Sequence, residues 1–233
     1  LNKMKKNIFL FLISAFMLTS CKDEHSELKD GLYAIIETNK GEIILELEYK
    51  KAPITVANFV SLAEGKNTFV NEKFKGKPFF DGLKFHRVIP DFMIQTGDPE
   101  GNGSGDTGYK FKDEIVPELQ FDKGGVLAMA NSGPATNSSQ FFITHLETPW
   151  LNGKHTIFGH VIGDGMKVVN QINQDDAIKS IKILKKGAEA KKFNAVKIFN
   201  NFFKNEQENL AKQQKIDAEL KSVVDAKYKE VKE

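Results

Sequence analysis

Hydrophobic residues in the first half of the chain alternate with polar ones in a way that predicts β-strands. Residues 32–38 are mostly apolar, Asn39-Lys40-Gly41 is typical of a turn, and residues 42–48 then alternate between apolar and mostly acidic positions. This pattern predicts a hairpin. Gly, Pro, Asn and Asp separate further short apolar segments, which lie at residues 85–89, 92–96, 126–130, 140–144, 156–162 and 178–184. We therefore expect a mainly β fold, either a closed barrel or a sandwich.

Two short helices interrupt this strand pattern. Pro53 is typical of the first turn of a helix, apolar residues follow at helical spacing, and Gly65 ends the pattern. A second helix is expected at residues 166–172. The Lys- and Gly-rich residues 66–82 are expected to form a surface loop.

The last 46 residues have a different character, since residues 188–233 contain neither Gly nor Pro. Three acid-to-lysine pairs lie four residues apart, at Glu208–Lys212, Asp217–Lys221 and Asp225–Lys229, and such pairs stabilise helices. We expect a C-terminal extension of one or two helices at 188–233. It either packs on the preceding domain or serves as an arm for a partner or a second copy, because its heptad pattern is too irregular to predict a coiled coil.

The N-terminal residues have the pattern of a targeting segment. Lys3, Lys5 and Lys6 precede an apolar run at residues 8–18. As a helix this run rises about 16 Å, which is too short to cross a hydrocarbon core of about 30 Å. Residues 1–20 are therefore predicted to be a signal peptide.

The end of this segment, Leu18-Thr19-Ser20-Cys21, resembles the lipobox of bacterial lipoproteins. The resemblance implies lipidation of Cys21 and a lipid anchor in the cell envelope, expected in the outer membrane. A plain secretory signal is the alternative. The acidic residues after Cys21 resemble a surface-export signal, although an ordinary tether has the same composition. Residues 21–30 are expected to be a flexible tether.

Composition excludes several classes of protein. Cys21 is the only cysteine, so a disulfide within the chain and a cysteine-based zinc site are both excluded. The net charge is +2, but three lysines lie in residues 1–20 and the remainder carries 30 basic and 31 acidic residues. This balance gives no reason to expect binding to nucleic acid. The oligomeric state does not follow from the sequence.

Five ordered motifs in the middle of the chain are more informative than its composition. They are Phe85-His86-Arg87-Val88-Ile89-Pro90-Asp91-Phe92-Met93-Ile94-Gln95-Thr96-Gly97-Asp98, then Tyr109–Glu114, Met129–Pro134, Asn137–Ile143 and Trp150–His155. Together they resemble the cyclophilin family of peptidyl-prolyl isomerases. The resemblance covers residues 31–187 and implies a closed, eight-stranded antiparallel barrel with two capping helices.

The chemistry of such a site needs no nucleophile and no cofactor. Rotation about a peptide bond is opposed by a resonance barrier of about 18–20 kcal/mol. A site that binds the twisted amide better than either planar form lowers that barrier. Twisting localises a lone pair on the prolyl nitrogen, and Arg87 is the candidate cation to stabilise it.

The resemblance also implies roles for individual residues. The expected catalytic residues are Arg87, Phe92, Gln95 and His155. The expected substrate-binding residues are Met93, Ala130, Asn131, Ser132, Gln140, Phe142, Trp150 and Leu151. Trp150 further implies binding of cyclosporin. The histidines show no helical ligand spacing, so no metal site is expected.

The chain departs from the family pattern at Asp91, Thr96 and Ser132, and none of these removes a proposed catalytic group. The Gly-x-Gly-x-x-Gly sequence at 103–108 is not followed by a helical pattern, so we expect a loop beside the groove and not a dinucleotide site.

Three functions remain open from the sequence. The first is an isomerase that acts on proline-containing polypeptides of the envelope or surface. The second is a lipid-anchored chaperone or peptide-binding module that requires no turnover. The third is a structural protein that assembles through its C-terminal helices.

Overall fold

The computed structural model describes residues 25–230, so the predicted signal peptide and Cys21 lie outside the described residues. Eight strands form a single antiparallel sheet in the order β3-β4-β6-β5-β7-β2-β1-β8. The strands are β1 (Gly31–Thr38), β2 (Gly41–Leu47), β3 (Arg87–Ile89), β4 (Met93–Thr96), β5 (Val126–Met129), β6 (Phe141–Thr144), β7 (Ile157–Val161) and β8 (Ile178–Lys186). This confirms the expected mainly β, eight-stranded antiparallel fold.

The sheet curls until its two edges meet, although β3 and β8 themselves form no ladder. The edges are joined by the segments that precede them, through an isolated bridge between Lys84 and Ala177. The Phe85 N–H donates to the Asp176 carbonyl at 2.9 Å, and the Ile178 N–H donates to the Leu83 carbonyl at 2.8 Å. The barrel is therefore closed by loop backbone and not by an eighth strand pair.

Helix α1 (Pro53–Ala63) and the short helix α2 (Gly165–Val169) match the two expected helices. The first N–H groups of α1 are capped from a distant segment, because the Glu114 carboxylate accepts hydrogen bonds from the Ile54 N–H at 3.1 Å and from the Thr55 N–H at 2.6 Å. Such a cap satisfies donors that the helix itself cannot pair. At the other end Gly65 has a φ of +66°, which a residue without a Cβ adopts readily.

The two faces of the sheet carry two separate apolar clusters. Inside the barrel lie Ile94, Leu127, Phe141 and Ile143, and the aromatic ring of Phe59 from α1 reaches them. Side chains at the alternate positions point outward because successive residues of a strand face opposite sides. The outward residues Met93, Val126, Ala128, Phe142 and Ile157 form a smaller cluster together with Leu119 and Phe121 from the loop before β5.

The C-terminal residues form two helices, α3 (Gly187–Lys192) and α4 (Ala195–Glu230). The start of α4 belongs to the main core, since Phe199 is 1% exposed and its ring centroid lies 5.5 Å from that of Tyr109 and 5.7 Å from that of Phe111. The core thus continues past residue 187. By contrast, every side chain that the structure describes between residues 204 and 222 is exposed.

Helix α4 is long, but its length does not imply a membrane span. Within residues 25–230 no helix combines the length and the apolar character that crossing a bilayer requires.

A buried carboxylate organises the glycine-rich loop after β4. Asp98 accepts hydrogen bonds from the N–H groups of Glu100 at 2.8 Å and Asn102 at 2.9 Å, and from that of Gly103. Burial alone raises the pKa of the Asp98 carboxyl, but these three donors outweigh it, so the pKa is held below its ordinary value. The loop therefore depends on the ionised form of Asp98.

Truncation distinguishes the two parts of the tail. A chain that ends at Gln207 retains every residue of α4 that the structure describes as buried, so its free energy of unfolding should stay within about 1 kcal/mol of the full chain. A chain that ends at Gly187 loses Phe193 and Phe199 from the core. Because removal of one buried phenylalanine costs about 3–5 kcal/mol, this shorter chain should be severely destabilised. Urea unfolding of the three chains measures both effects, and equal losses would contradict the described packing.

Replacement of Asp98 should reveal its charge through pH. The lowered pKa of Asp98 means that its contribution is fully present above the unfolded value, near 3.9, and is lost as the pH falls through the lower folded value. Asp98→Asn should therefore be less stable than the wild type at pH 7, and the difference should shrink below about pH 4. Urea unfolding at pH 7, 5 and 3 tests this. Asp106→Asn, at an exposed position of the same loop, is the control. A difference that is constant with pH would refute the role of the charge.

Candidate active site

The register of the sheet sets two of the predicted catalytic residues, Arg87 and Gln95, in one row with the predicted substrate-binding residue Phe142. Arg87 pairs with Gln95 across β3 and β4, Gln95 pairs with Phe142 on β6, and Phe142 pairs with Ala128 on β5. Residues directly opposite each other in an antiparallel pair share one face of the sheet. The row therefore crosses the outer face of the barrel, on the smaller apolar cluster.

An apolar pocket of about 200 Å³ opens beside this row. Its floor is dry, because Met93 is 1% and Phe142 is 4% exposed. Nine of the residues predicted from the sequence line this pocket: Arg87, Phe92, Met93, Gln95, Ala130, Asn131, Phe142, Leu151 and His155. A volume of this size exceeds that of one water molecule severalfold, which leaves room for a small ring.

Arg87 is oriented by a relay of two side-chain amides, Gln95 and Gln140. Arg87 Nη1 donates to Gln95 Oε1 at 3.1 Å, and Gln95 Nε2 donates to Gln140 Oε1 at 3.0 Å. Gln140 Nε2 in turn donates to the Gly103 and Gly105 carbonyls at 3.1 and 3.0 Å. Because a carbonyl only accepts, the two glycines fix the orientation of both amides and present an oxygen to Arg87.

The charge of Arg87 is not neutralised by a carboxylate. Its side chain is exposed, and no Asp or Glu among residues 25–230 forms an ion pair with it. Arginine stays protonated throughout the ordinary pH range. The rim of the apolar pocket thus carries a fixed, oriented positive charge.

His155 is held by the backbone on the other side of the pocket. Its Nδ1 lies 2.9 Å from the Met129 carbonyl oxygen, and because a carbonyl only accepts, Nδ1 carries a hydrogen and donates it. The ring also meets Phe142 edge-on, with centroids 5.4 Å apart.

A carboxylate without a predicted role supports the neighbouring loop. Asp113 accepts hydrogen bonds from Asn131 Nδ2 at 3.3 Å, from Asn137 Nδ2 at 2.8 Å and from the Ala135 N–H at 2.9 Å. Asn131 Nδ2 also donates to the Lys154 carbonyl at 3.0 Å. Asp113 therefore positions the loop that carries Asn131, and in the sequence only its place in the Tyr109–Glu114 motif pointed to it.

A second, polar pocket of about 170 Å³ continues from the first. The two pockets share Gln95, Ala130 and Asn131 as lining residues. The polar pocket contains the predicted residues Ser132 and Gln140, together with five side chains that sequence reasoning missed: Ser104, Asp106, Lys110, Thr136 and Ser138. The Gly103–Gly108 motif forms part of its wall, as expected of a loop beside the groove.

Trp150 lies at the rim and lines neither pocket. It belongs to a 3₁₀ turn at Pro149–Leu151, its side chain is 58% exposed, and its ring centroid lies 6.1 Å from that of Phe92. The structure thus brings Trp150 next to the predicted site without burying it.

Two departures from the family pattern fit the local geometry. Asp91 has a φ of +60° in the turn between β3 and β4, a conformation that Asp tolerates better than most residues. Thr96 is buried, and its Oγ1 donates to the Lys84 carbonyl at 2.9 Å. Neither residue changes the lining of the pockets.

The chemical content of the groove is electrostatic. In the part of the chain that the structure describes, no cluster of three His, Cys, Asp or Glu side chains is arranged to hold a metal ion. The groove presents a fixed cation, an oriented amide oxygen, a histidine ring and a dry apolar floor. Such a set favours a polarised or twisted ligand without forming a covalent bond.

Comparison with known proteins supports this description. The chain is 54% identical over 149 residues to peptidyl-prolyl cis-trans isomerase B of Streptomyces anulatus, covering 62% of this chain and 85% of that protein. It is 46% identical over 159 residues to human peptidyl-prolyl cis-trans isomerase-like 1, covering 64% and 88% of the two chains. A crystal structure of a Cryptosporidium parvum cyclophilin type peptidyl-prolyl cis-trans isomerase matches with a TM-score of 0.58 and 32% identity, covering 68% of this chain and all of that one.

A family model extends the match along most of the chain. Residues 33–199 match the model described as cyclophilin type peptidyl-prolyl cis-trans isomerase, and its end coincides with the buried Phe199 of α4. The row of Arg87, Gln95 and Phe142 beside a dry pocket is thus found within a matched domain. The chain belongs to the family of cyclophilin type peptidyl-prolyl cis-trans isomerases.

Proposed function

We propose that the groove catalyses rotation about X-Pro peptide bonds with Arg87 as the catalytic cation, and that it assists the folding of envelope or surface proteins. The proposal rests mainly on the position of Arg87. Its guanidinium is oriented by Gln95, has no neutralising carboxylate, and lies at the edge of an apolar pocket with room for a proline ring. A second crystal structure of the Cryptosporidium parvum protein, 33% identical to this chain with a TM-score of 0.57, was obtained in the presence of the dipeptide Ala-Pro. That finding favours proline-containing polypeptides as substrates here.

The proposed mechanism separates the two halves of the amide. The proline ring enters the apolar pocket on Met93 and Phe142, whose burial favours an apolar ligand over water. Gln95 and the backbone of Asn131 hold the carbonyl of the preceding residue. One half of the amide is therefore fixed while the other turns.

Arg87 stabilises the state in which the amide is twisted. In the planar amide the nitrogen lone pair is delocalised, and twisting returns it to the nitrogen. A positive charge aimed at that nitrogen interacts more strongly with the twisted state than with either planar form, which is the requirement for catalysis. The relay of Gln95 and Gln140 keeps the guanidinium in place, so little reorganisation accompanies the turn.

Substitution of Arg87 tests this mechanism directly. Arg87→Ala should lower kcat/KM for an X-Pro peptide by about 100-fold or more, in line with the loss of one preorganised electrostatic donor. Arg87→Lys should restore only part of the rate, because a lysine lacks the planar, rigid donor set. NMR exchange spectroscopy on the peptide measures the rate.

A nearby cation provides the control for Arg87. Lys84 is exposed and forms an ion pair with Asp175, and it lines neither pocket. Lys84→Ala should keep the wild-type rate. Equal rates for Arg87→Ala and the wild type would disprove the catalytic assignment and favour a binding module without turnover.

Cyclosporin is proposed as an inhibitor that reaches Trp150. The indole is exposed beside Phe92 at the rim, where a large apolar ligand covers both rings. Titration of the isomerase activity with cyclosporin should abolish it. Trp150→Ala should weaken inhibition by at least 10-fold and should reduce turnover far less. Full activity at saturating cyclosporin would contradict this proposal.

We also propose that Cys21 carries a lipid that anchors the chain in the bacterial outer membrane. The supporting observation is the placement of the chain's sole cysteine directly after an apolar leader. A multiply acylated cysteine gives a stable anchor, whereas a single chain holds weakly.

Labelling of cells with a radioactive fatty acid tests the anchor. The wild-type chain should incorporate the label, and the membrane fraction should contain it. Cys21→Ala should lose both. Absence of label from the wild type would reject the lipid anchor, and label in Cys21→Ala would place the lipid elsewhere.

A further inference from the structure

Helix α4 forms one wall of a third groove, of about 230 Å³, beside the polar pocket. We call it the helix groove, and it is lined by Lys110, Lys112, Ala135, Phe202, Phe203 and Glu206 among others. The side chains of Phe202 and Phe203 are only half-buried, so the groove has an apolar wall that reaches solvent. The family resemblance at residues 31–187 assigns nothing to this surface.

The helix groove adjoins the polar pocket. Lys110 lines both the polar pocket and the helix groove, and Thr136 of the polar pocket directly follows Ala135 of the helix groove. The polar pocket in turn shares Gln95, Ala130 and Asn131 with the apolar pocket beside Arg87. The three spaces are therefore neighbours, in order from Arg87 to α4.

Contacts between α4 and the barrel hold the far wall in place. Lys112 Nζ lies 2.8 Å from Glu206 Oε1 and 5.3 Å from the ring centroid of Phe202. Behind this surface, Phe203 packs against Phe69, with centroids 4.5 Å apart, and against the buried Phe199. The wall is thus preformed, which lowers the entropic cost of binding a flexible chain.

The direction of a bound polypeptide follows from the proposed function, on which this inference rests. Gln95 and Asn131 hold the carbonyl of the residue before the proline, so the chain that precedes this residue continues into the polar pocket. An extended chain advances about 3.3–3.6 Å per residue, so about two residues cross the polar pocket of about 170 Å³. The helix groove then receives residues about four or five positions before the proline.

We propose that the helix groove binds an aromatic or large apolar side chain about four or five residues upstream of the proline in an unfolded polypeptide. The partner is an extended, unfolded chain, because only such a chain follows all three spaces at once. Half-buried aromatic rings with a lysine over one face recognise aromatic side chains through stacking and apolar contact. The C-terminal helix thereby selects longer unfolded substrates over short peptides.

Three peptides test this proposal in the full-length protein. One is a short X-Pro peptide, the second extends six residues upstream and carries Phe at the fifth, and the third is identical but carries Ser there. The wild type should bind the Phe peptide with a KM about 10-fold lower than that of the Ser peptide. Phe202→Ala should reduce this advantage to about twofold and leave kcat/KM for the short peptide unchanged.

Ile198→Ala is the matched control, since Ile198 is a half-buried apolar residue of α4 that does not line the groove. It should keep the 10-fold advantage. A loss of the advantage in Ile198→Ala as large as that in Phe202→Ala would show that helix packing, and not the groove, is responsible. Equal KM values for the Phe and Ser peptides in the wild type would overturn the proposal.

A crosslinking measurement remains informative if Phe202→Ala does not fold. A long peptide with a benzophenone side chain at the fifth upstream position should label the segment of α4 that contains Phe202 and Phe203 in the wild type. Labelling confined to other segments would overturn the proposal. Turnover of the short peptide is measured separately, so its absence would reject the proposed function instead.

Discussion

The alternation of side chains along β4 and β6 is the constraint on which both the core and the groove depend. Ile94 and Phe141 point into the barrel, and their neighbours Gln95 and Phe142 point to the outer face. Because the period of a strand is two residues, a shift of one position would exchange the two sets. The same hydrogen-bonded ladder therefore stabilises the interior and sets the spacing of the catalytic row.

Two loops beside the strands support the site, and each is organised by a carboxylate that does not line the apolar pocket. Asp98 gathers three backbone N–H groups, and the loop it shapes offers the Gly103 and Gly105 carbonyls to Gln140. Asp113 similarly fixes the segment around Asn131. The orientation of Arg87 is thus set through several hydrogen bonds that begin well outside the groove.

The sequence allowed much of the fold and of the site to be predicted, because the strands alternate clearly and the motifs occur in a fixed order. The helix start at Pro53 and the stop at Gly65 follow from backbone chemistry alone. The cap that Glu114 provides was not predictable, since the two segments lie about 60 residues apart and no local pattern joins them.

The boundary of the core was harder to infer than its centre. The sequence predicts a separate helical extension at residues 188–233, because this segment contains neither Gly nor Pro. Yet both Phe193 and Phe199 belong to the main core, where Phe193 packs against Tyr49 and Phe199 packs against Tyr109. Composition indicates where the secondary structure changes, whereas the end of the core can be identified only from three-dimensional packing.

The family match, which ends at residue 199, accounts for the reaction. The helix groove depends on residues beyond that match, since α4 contributes Phe202, Phe203 and Glu206 to its wall. Many of the 19 phenylalanines belong to one of two packed groups. One group surrounds Phe59 inside the barrel, and another joins Phe69 and Phe203 at the root of α4. The second group packs α4 against α1 and against the rings of Tyr109 and Phe111.

The relay behind Arg87 has a consequence for the conditions under which the groove keeps its shape. Gln95 and Gln140 are neutral amides that neither gain nor lose a proton, and their carbonyl anchors at Gly103 and Gly105 do not titrate either. A carboxylate in place of Gln95 would tie the geometry to the acidity of the surroundings and would cancel the charge. With an amide scaffold, the position of the guanidinium depends on acidity only through Asp98, whose lowered pKa keeps the supporting loop intact until the medium is strongly acidic.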